Sequence, residues 1–330
     1  MALPTSSPSC RLLPVLLLAL LAGCASRLPP PPELAATELT AVPFFPQQQY
    51  QCGPAALATV LAWSGVDTSA DELTPQVYLP DREGSLQLEL IAASRRAQRL
   101  PFLLEGGAPA LFAELGAGHP VLVLQNFGLR SLPQWHYAVV VGYDPEQREV
   151  LLRSGTEQRR RESWRRFMTS WAQADYWGLV VLPPGKLPAA MTADAVATSV
   201  AGNETRMAPA VTLAAWEAAL RHWPEQPAVL FGAANARYTA GQTRPAASLY
   251  RRLLQQQPGH LAARNNFADL LLNSDCPQQA EQVLGPALER LGTGASPTAT
   301  TAAVRTTAAE IDAHPRRAGS EAEVCGSLLP

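Results

Sequence analysis

The sequence predicts an α+β domain followed by an all-α domain of helical repeats. In the first half of the chain, patterns with helical spacing come before short apolar or β-branched runs bounded by Gly, Pro and Asp. Helices first and an antiparallel meander second is an order typical of an α+β fold. In the second half, related residues return every 34 positions, as they do in stacked helix pairs.

The composition is that of a globular protein without a dominant surface charge. Of the 330 residues, 47% are hydrophobic and 16% are charged, and the formal net charge is −2. This length suffices for two domains of ordinary size. Nucleic-acid binding needs a basic surface, so we expect no nucleic-acid partner, and we expect no cofactor.

The N-terminus has the features of a targeting segment. Arg11 precedes the apolar run 12–21, which is too short to span a bilayer and matches the hydrophobic region of a signal peptide. The run ends in Leu-Ala-Gly-Cys at 21–24. This resembles the bacterial lipobox, in which the cysteine, here Cys24, is lipidated and becomes the mature N-terminus. An ordinary secretory signal cleaved elsewhere is the alternative.

The prediction for the first forty residues is a signal peptide (1–23) followed by a lipidated, proline-rich tether (24–40). Ala25 and Ser26 follow the cysteine, and the lack of Asp at this place resembles lipoproteins that are sent on to the outer membrane. We therefore expect a lipid anchor in the bacterial outer membrane, with the protein on its periplasmic face.

Cys52 is the candidate nucleophile. Apolar positions with helical spacing follow it, at Leu57, Val60 and Leu61, so a helix is predicted to begin at or next to the cysteine. Pro54 agrees with this, because proline is tolerated in a first helical turn. The partial positive charge of a helix N-terminus favours the thiolate, so we expect a lowered Cys52 pKa. A buried structural cysteine is the alternative.

The remaining elements of the first domain follow in order. Helices are predicted from Thr68 onwards and over 85–99, because acidic residues open the first and apolar residues line one face of the second. The predicted strands cover 101–104, 120–125, 136–143, 149–153 and 177–182, with a hairpin turn at 144–147.

His136 is the candidate base, because a thiol nucleophile needs a base close enough to take its proton. It stands at the mouth of a β-branched strand that ends near Asp144. His119 is the competing candidate, but it lies in a turn beside Pro120, which suggests a backbone role. A structural histidine is the alternative reading of either.

Together these motifs resemble the papain-like cysteine peptidases of the bacteriocin-processing, double-glycine-leader type. The resemblance rests on the segments 47–56, 118–124 and 136–144, within a domain of residues 41–185. It is closer still to a lipoprotein branch that carries tetratricopeptide repeats behind the peptidase domain. It implies a papain-like fold, Cys52 as nucleophile, His136 as general base, and a protein or peptide substrate.

The resemblance also implies a glutamine that donates to the oxyanion alongside the Cys52 amide. In the transporter-linked enzymes this glutamine lies six residues before the cysteine, but position 46 is Pro here. Gln47 is the nearest match, and Gln48 is the alternative.

A second departure concerns the group that orients His136. The family usually places an Asp on the next strand, and alignment through 150–155 puts Ser154 there. Asp144 is the substitute by residue type, but its distance along the strand from His136 places it at the far end. We therefore expect Ser154 to act as a weaker orienting group and turnover to be slow.

Cys276 and Cys325 remain after the other cysteines are assigned. In an oxidising periplasm they are candidates for a disulfide, and two free thiols are the alternative. The basic runs 159–161 and 165–166 are expected to be a solvated face, with contact to anionic lipid or an acidic substrate tail as the alternative. Trp164, Trp171 and Trp177 are expected to close the core of the first domain.

The second half is predicted to hold tetratricopeptide-like repeats over 193–294, after a linker at 186–192. Trp223-Pro224 and Gln257-Pro258 carry the period, and an unrelated helical bundle is the alternative. Residues 295–330 are expected to be a low-complexity tail, with a helix near 301–313. Since repeats pack mainly on their neighbours, we expect little packing on the first domain.

These features predict a membrane-anchored cysteine peptidase whose repeats recruit a protein substrate or partner. A peptidase-like scaffold that binds extended peptides is one alternative, because the orienting Asp is missing. A transpeptidase that passes the acyl group to an amine is another.

Overall fold

The computed structural model describes residues 35–47, 51–292, 296, 298–315, 325, 326 and 328. Cys24, Gln48, the predicted signal peptide and most of the tether lie outside these residues. Within them, no helix is long and apolar enough to cross a membrane.

The described chain forms an α+β unit followed by consecutive helices, so the predicted fold class is confirmed. The strands are β1 (Thr37–Glu38), β2 (Leu100–Leu103), β3 (Val121–Asn126), β4 (Trp135–Asp144), β5 (Glu149–Ser154), β6 (Glu157–Ser163) and β7 (Gly178–Leu182). The helices of this unit are α1 (Cys52–Trp63), α2 (Ala70–Val77), α3 (Gln87–Arg96), α4 (Gly107–Gly116) and α5 (Trp164–Ala172).

The strands form one antiparallel sheet in the order β2-β7-β3-β4-β5-β6, and β1 pairs with the far end of β4. Strand β4 has helices on both of its faces, because alternate residues of a strand point to opposite sides. Tyr137, Val139 and Val141 pack in the cluster that contains α1. Ala138 and Val140 pack in the other cluster, which contains α4 and α5.

Four elements of this unit were not predicted from the sequence, and the first of them, β1, lies within the predicted tether. Helix α4 has a glycine at each end, and α5 follows directly on a strand without a side-chain cap. Strand β6 consists mostly of charged residues and lies at the edge of the sheet. Edge strands tolerate such charge, which also protects them from pairing with other chains.

The basic run 159–161 therefore lies on an edge strand, where Arg159 and Arg161 are exposed to solvent and also form ion pairs. The Arg159 guanidinium donates to Glu38 at 2.7 Å, and Arg161 bonds Glu149 at 2.7 Å. Trp164 and Trp171 are buried in the core, and the Trp171 indole donates to the Trp177 carbonyl.

The second unit consists of helix pairs. The helices are α6 (Ala193–Ala201), α7 (Pro209–His222), α8 (Pro227–Thr239), α9 (Thr243–Gln256), α10 (Leu261–Leu272), α11 (Pro277–Leu291) and α12 (Ala299–Ala313). Gly232 on α8 permits a close helix crossing, because a Cβ there would lie 2.2 Å from the Trp216 ring. A disulfide joins Cys276, just before α11, to Cys325.

The two units share one hydrophobic core, so the expectation that the repeats pack little on the first domain is wrong. Val196 and Val200 of α6 belong to the same buried cluster as Phe102 of β2. Polar contacts cross the same junction. The Ala190 amide donates to Glu114 Oε1 at 3.0 Å, and the Ala208 amide donates to the Gln98 side chain at 2.7 Å.

Candidate active site

Cys52 is the first residue of α1, and the packing of the helix explains its position. The following residues, 53–61, are all buried, so the helix N-terminus is pressed into the domain. Gly53 is required here because a Cβ would lie 2.3 Å from Ser85 Oγ. Cys52 itself keeps partial exposure and is the free cysteine of the described residues.

Gln47 bonds to the main chain just beyond the end of β5. The last pair between β4 and β5 at this end joins Val139 and Arg153, so the main chain of Tyr137 has no partner from β5. The Gln47 amide donates to the Gly155 carbonyl at 2.9 Å. The Gln47 side-chain Nε2 lies 3.4 Å from the Tyr137 carbonyl. Gln47 is thereby held beside the start of β4, and the Tyr137 main chain also hydrogen-bonds the Cys52 thiol.

His136 projects from that start of β4 and bonds the group predicted to orient it. Its Nε2 lies 2.8 Å from Ser154 Oγ, on the same face of the sheet. The Phe127 ring packs against the imidazole, with ring centroids 5.6 Å apart. Since Nε2 is engaged by Ser154, Nδ1 is the ring nitrogen left to accept a proton from a thiol.

Burial sets the protonation of both groups. Loss of solvation raises the pKa of the Cys52 thiol, and the main-chain amides of Tyr137 and Gly53 oppose this without reversing it. Burial, together with the positive charge of Arg160, lowers the pKa of His136 to about 4. The resting site thus holds a neutral thiol and a neutral imidazole. The expected lowering of the Cys52 pKa by the helix N-terminus is outweighed by desolvation.

The competing candidates are engaged elsewhere. His119 Nδ1 lies 2.7 Å from the buried Glu114 carboxylate. Asp144 lies at the opposite end of β4 from His136, where it accepts from the Gln147 amide and pairs with Arg161. Neither residue faces the Cys52 end of the sheet.

A buried polar cluster next to His136 was not predicted from the sequence. Gln125 is the cross-strand neighbour of His136, and its Nε2 donates to Glu162 at 3.2 Å and to Ser170 at 2.8 Å. Glu162 belongs to a charged run and Ser170 to an apolar helix. The sheet order β3-β4-β5-β6 and the packing of α5 against β3 bring them together, so no local signal could have indicated the cluster.

A groove of about 500 Å³ opens at Cys52 on the α1 face of the sheet. One wall is the loop 82–87, and the other carries Pro133, Trp135 and Tyr137. The Tyr137 hydroxyl donates to the Ser85 carbonyl at 3.2 Å and ties the two walls together. Trp135 is 53% exposed, so the groove has an apolar rim open to solvent.

The described residues contain no cluster of three or more His, Cys, Asp or Glu side chains able to hold a metal ion. The groups at the candidate site are a thiol (Cys52), an imidazole (His136), a hydroxyl (Ser154) and amide donors.

The repeat class is matched independently of the site. A sequence-family model described as tetratricopeptide repeat matches residues 238–293, which confirms the predicted repeats over that range. No curated protein sequence matches the chain.

Solved structures similar to this chain fall into two groups. A C39-like peptidase from Bacillus anthracis is 17% identical, with a TM-score of 0.39, and is covered over 98% of its length by 45% of this chain. The peptidase domain of Streptococcus ComA, a bi-functional ABC transporter of a quorum-sensing pathway, is 21% identical, with a TM-score of 0.34, and 43% of this chain covers 96% of it.

The second group concerns the helical unit. The Sgt2 tetratricopeptide domain from Aspergillus fumigatus is 20% identical, with a TM-score of 0.32, and 39% of this chain covers 87% of it. Structural neighbours of the two classes that the sequence resembles are thus found. At these identities and TM-scores, the activities in their names remain statements about those proteins.

Proposed function

We propose that the protein is a cysteine peptidase in which Cys52 attacks a peptide carbonyl. The observation that carries the proposal is that the segments bearing four residues meet at the start of β4. Gln47 and Cys52 each hydrogen-bond to the main chain of Tyr137, and the residue before it, His136, bonds Ser154. A nucleophile, a base, an orienting group and an oxyanion donor are the parts that acyl transfer needs.

In the proposed reaction, His136 Nδ1 takes the Cys52 proton as the sulfur bonds to the carbonyl carbon. The oxyanion accepts hydrogen bonds from the Cys52 main-chain amide and from Gln47 Nε2. The Gln47 amide has two hydrogens, so one can donate to the oxyanion while the other donates to the Tyr137 carbonyl. The imidazolium then gives its proton to the leaving amine as the C–N bond breaks. Water hydrolyses the thioester, and His136 again moves the proton.

The neutral resting state makes His136 a true general base rather than the partner of a preformed thiolate. A base whose pKa is about 4 accepts a proton weakly at neutral pH, so slow turnover is expected. Ser154 contributes to this, because a hydroxyl both donates and accepts and so does not enforce the Nε2–H tautomer. A carboxylate accepts only and would enforce it.

The other expected features complete the proposal. Cys24 carries the lipid that anchors the protein on the periplasmic face of the outer membrane, and Cys24→Ser should release it from membranes. The repeats recruit a protein substrate or partner. The open groove at Cys52, with its apolar rim, supports an extended peptide as the ligand.

A scaffold that binds peptides without cleaving them is the second candidate. The raised thiol pKa and the absence of a carboxylate on His136 favour it. The two candidates differ in one measurable property, since only the peptidase transfers an acyl group to Cys52.

The test is acylation by p-nitrophenyl acetate, which releases p-nitrophenolate when the Cys52 thioester forms. Wild-type protein should show release that depends on Cys52, with none above background in Cys52→Ala. His136→Ala should slow acylation by about 10²–10⁴-fold, the usual cost of losing a general base. His222→Ala, a surface histidine of α7, is the matched control. Release that is equal in wild type and Cys52→Ala would leave the scaffold, and Cys52-dependent release that is unchanged in His136→Ala would remove His136 as the base.

The natural substrate can be sought with the same Cys52→Ala variant, which should bind it without turnover. Peptides captured by the variant and cleaved by wild-type protein would identify the sequence around the scissile bond.

A further inference from the structure

A second cavity, of about 460 Å³, lies on the α5 side of the sheet. Its lining includes Asn126 and Phe127 at the end of β3, and Arg165 and Arg166 at the start of α5. Neither Cys52 nor His136 lines it, so it is distinct from the groove described above.

Asn126 presents an unused donor in this cavity. The residue is 1% exposed, and its Oδ1 accepts from the amides of Gly128 and Gln134, each at 2.9 Å. Because main-chain N–H groups only donate, these two bonds fix which amide atom is the oxygen. The Nδ2 atom is buried and has no hydrogen-bond partner among the described residues. A ligand with an acceptor oxygen would satisfy it.

The charge around the cavity is positive. Arg166 lies over the Phe127 ring, and its Nε is 3.4 Å from the buried Glu162 carboxylate, which balances its charge. Arg165 forms no ion pair with any described residue. The first turn of α5 also lacks an acidic side chain and a side-chain cap, so its N-terminal field adds to the attraction for an anion.

Phe127 connects the cavity to the proposed site. His136 protonates the leaving amine in the proposed reaction, and Phe127, which lines the cavity, packs on His136 with 5.6 Å between ring centroids. The cavity therefore begins one ring beyond the base. An extended chain advances about 3.3–3.6 Å per residue, so the second or third residue after the scissile bond reaches it.

We infer that this cavity binds a carboxylate side chain on the leaving side of the substrate. The enzyme then prefers Asp or Glu at the second or third position after the scissile bond. Asn126 Nδ2 donates to the carboxylate, and the Arg165 guanidinium supplies the compensating charge. This inference rests on the proposed function, because the leaving side is defined by His136.

Acyl transfer tests the inference without knowledge of the cleaved sequence. With p-nitrophenyl acetate as donor, the ester C–O bond breaks, the Cys52 thioester forms, and p-nitrophenolate leaves. A peptide amine then attacks the thioester, the C–S bond breaks, and the amine proton returns to the thiol. Since this step is the reverse of leaving-group departure, it probes the same subsite.

The acceptors are Gly-Glu-Glu-amide, Gly-Gln-Gln-amide and Gly-Lys-Lys-amide, and the acetylated products are quantified by mass spectrometry. The ratio of aminolysis to hydrolysis is independent of the acylation rate. In wild type we expect transfer to the Glu acceptor to exceed transfer to the Gln acceptor by about tenfold. A charged hydrogen bond is roughly twice as strong as a neutral one, and the difference corresponds to about that ratio. Arg165→Glu should reverse the order in favour of the Lys acceptor.

Two comparisons make the result specific. Arg221→Glu carries the same charge change on the exposed end of α7 and should keep the wild-type order. Asn126→Asp keeps the acceptor for Gly128 and Gln134 but replaces the donor, so it should lower transfer to the Glu acceptor more than to the Gln acceptor. Raising the salt from about 0.05 M to about 0.5 M should narrow the preference.

The proposed function and this inference fail on different results. Wild-type protein that is never acylated at Cys52 removes the proposed function and the leaving-side assignment with it. Protein that is acylated but transfers equally to Glu and Gln acceptors, or that keeps its order in Arg165→Glu, removes this inference alone.

Discussion

The sheet unit and the repeat unit differ in how far apart along the chain their hydrogen-bonded residues lie. The bond from Gln47 to Tyr137 spans 90 positions, and the bond from His136 to Ser154 joins two further strands. In the repeats, Tyr250 bonds Asn235 over 15 positions and Tyr238 bonds Asp269 over 31. The site thus depends on long-range closure, whereas the repeats depend on their neighbours.

This difference would suggest two independent bodies, but the junction contradicts it. Helix α6 contributes to the core under β2, and the segment 190–208 hydrogen-bonds to residues of the first unit. The first helix of the repeat unit therefore acts as a structural part of the sheet unit.

The largest effect is expected from moving the point of truncation. A chain that ends at 186 removes α6 and leaves the apolar side of β2 open to water, so we expect it to be insoluble or unfolded. A chain that ends at 207 keeps α6 and should fold better, because Val196 and Val200 still cover Phe102. Soluble yield and thermal unfolding followed by circular dichroism measure the difference.

A third truncation, ending at 226, keeps α7 as well and serves as the control for exposed helix surface. If the chain that ends at 186 unfolds as cooperatively, and at the same temperature, as the chain that ends at 207, the shared core is energetically unimportant. The two units would then be separable after all.

The next effect concerns the disulfide, which lies wholly in the repeat unit. It closes a loop of 49 positions, for which chain entropy gives about 4 kcal/mol. The double variant Cys276→Ala, Cys325→Ala should lose roughly this free energy of unfolding in urea, with the loss confined to the repeats. At urea concentrations below those that unfold the repeats, the rate of Cys52 acylation should change little.

Ser274→Ala, two residues before Cys276, is the matched control, because it removes a small side chain nearby without breaking a disulfide. If acylation of the double variant falls in step with the unfolding of the repeats, the repeat unit supports the site beyond α6.

A pair of glycine substitutions compares the two units with the same chemical change. Gly232→Ala places a methyl group 2.2 Å from the Trp216 ring, so overpacking should cost about 1–3 kcal/mol of stability. Gly53→Ala places one 2.3 Å from Ser85 Oγ, next to Cys52, and should displace the loop 82–87. We expect the first to lower stability chiefly and the second to lower acylation chiefly.

Gly116→Ala is the matched control, since no atom lies within 4 Å of the added group. Urea unfolding and p-nitrophenolate release measured on all three proteins separate the two effects. Equal losses of acylation in Gly232→Ala and Gly53→Ala would show that packing in the repeats reaches the site.

Elements with a clear apolar pattern or a repeat period could be predicted from the sequence, and elements without either could not. The Cys52 and His136 motifs lie at the starts of regular elements with clear apolar patterns, so their elements were predicted close to their observed ends. The repeats are recognisable because related residues recur every 34 positions. Helix α4 and strand β6 have neither feature, since one is short and glycine-bounded and the other is highly charged.

The properties that depend on the whole fold were not available from local pattern. Burial raises the pKa of Cys52 and outweighs the opposing effect of the helix N-terminus. This burial follows from how α1 packs on the sheet. The buried donor of Asn126 depends on the loop 127–134 folding back on β3. The packing of α6 on β2 likewise joins segments that carry no shared motif.

The smallest effect is expected at Ser154, where a carboxylate would restore the group that the family resemblance implies. In wild type, His136 becomes protonated, and useless as a base, only below a pH of about 4. Activity at mild acidity should therefore persist, and kcat/KM should fall only near that pH. Arg160→Gln removes a positive charge near the imidazole and should raise the His136 pKa, which moves this fall to higher pH.

Ser154→Asp should move the acid limb of kcat/KM in the same direction and by more, because a carboxylate stabilises the imidazolium directly. At neutral pH it should raise the acylation rate several-fold, since it also enforces the Nε2–H tautomer that leaves Nδ1 free. Ser154→Ala should instead lower the rate without adding a charge that shifts the limb. The pH dependence of p-nitrophenolate release distinguishes the three proteins. A Ser154→Asp limb that stays at the wild-type pH would mean that His136 is not the base whose protonation limits the reaction.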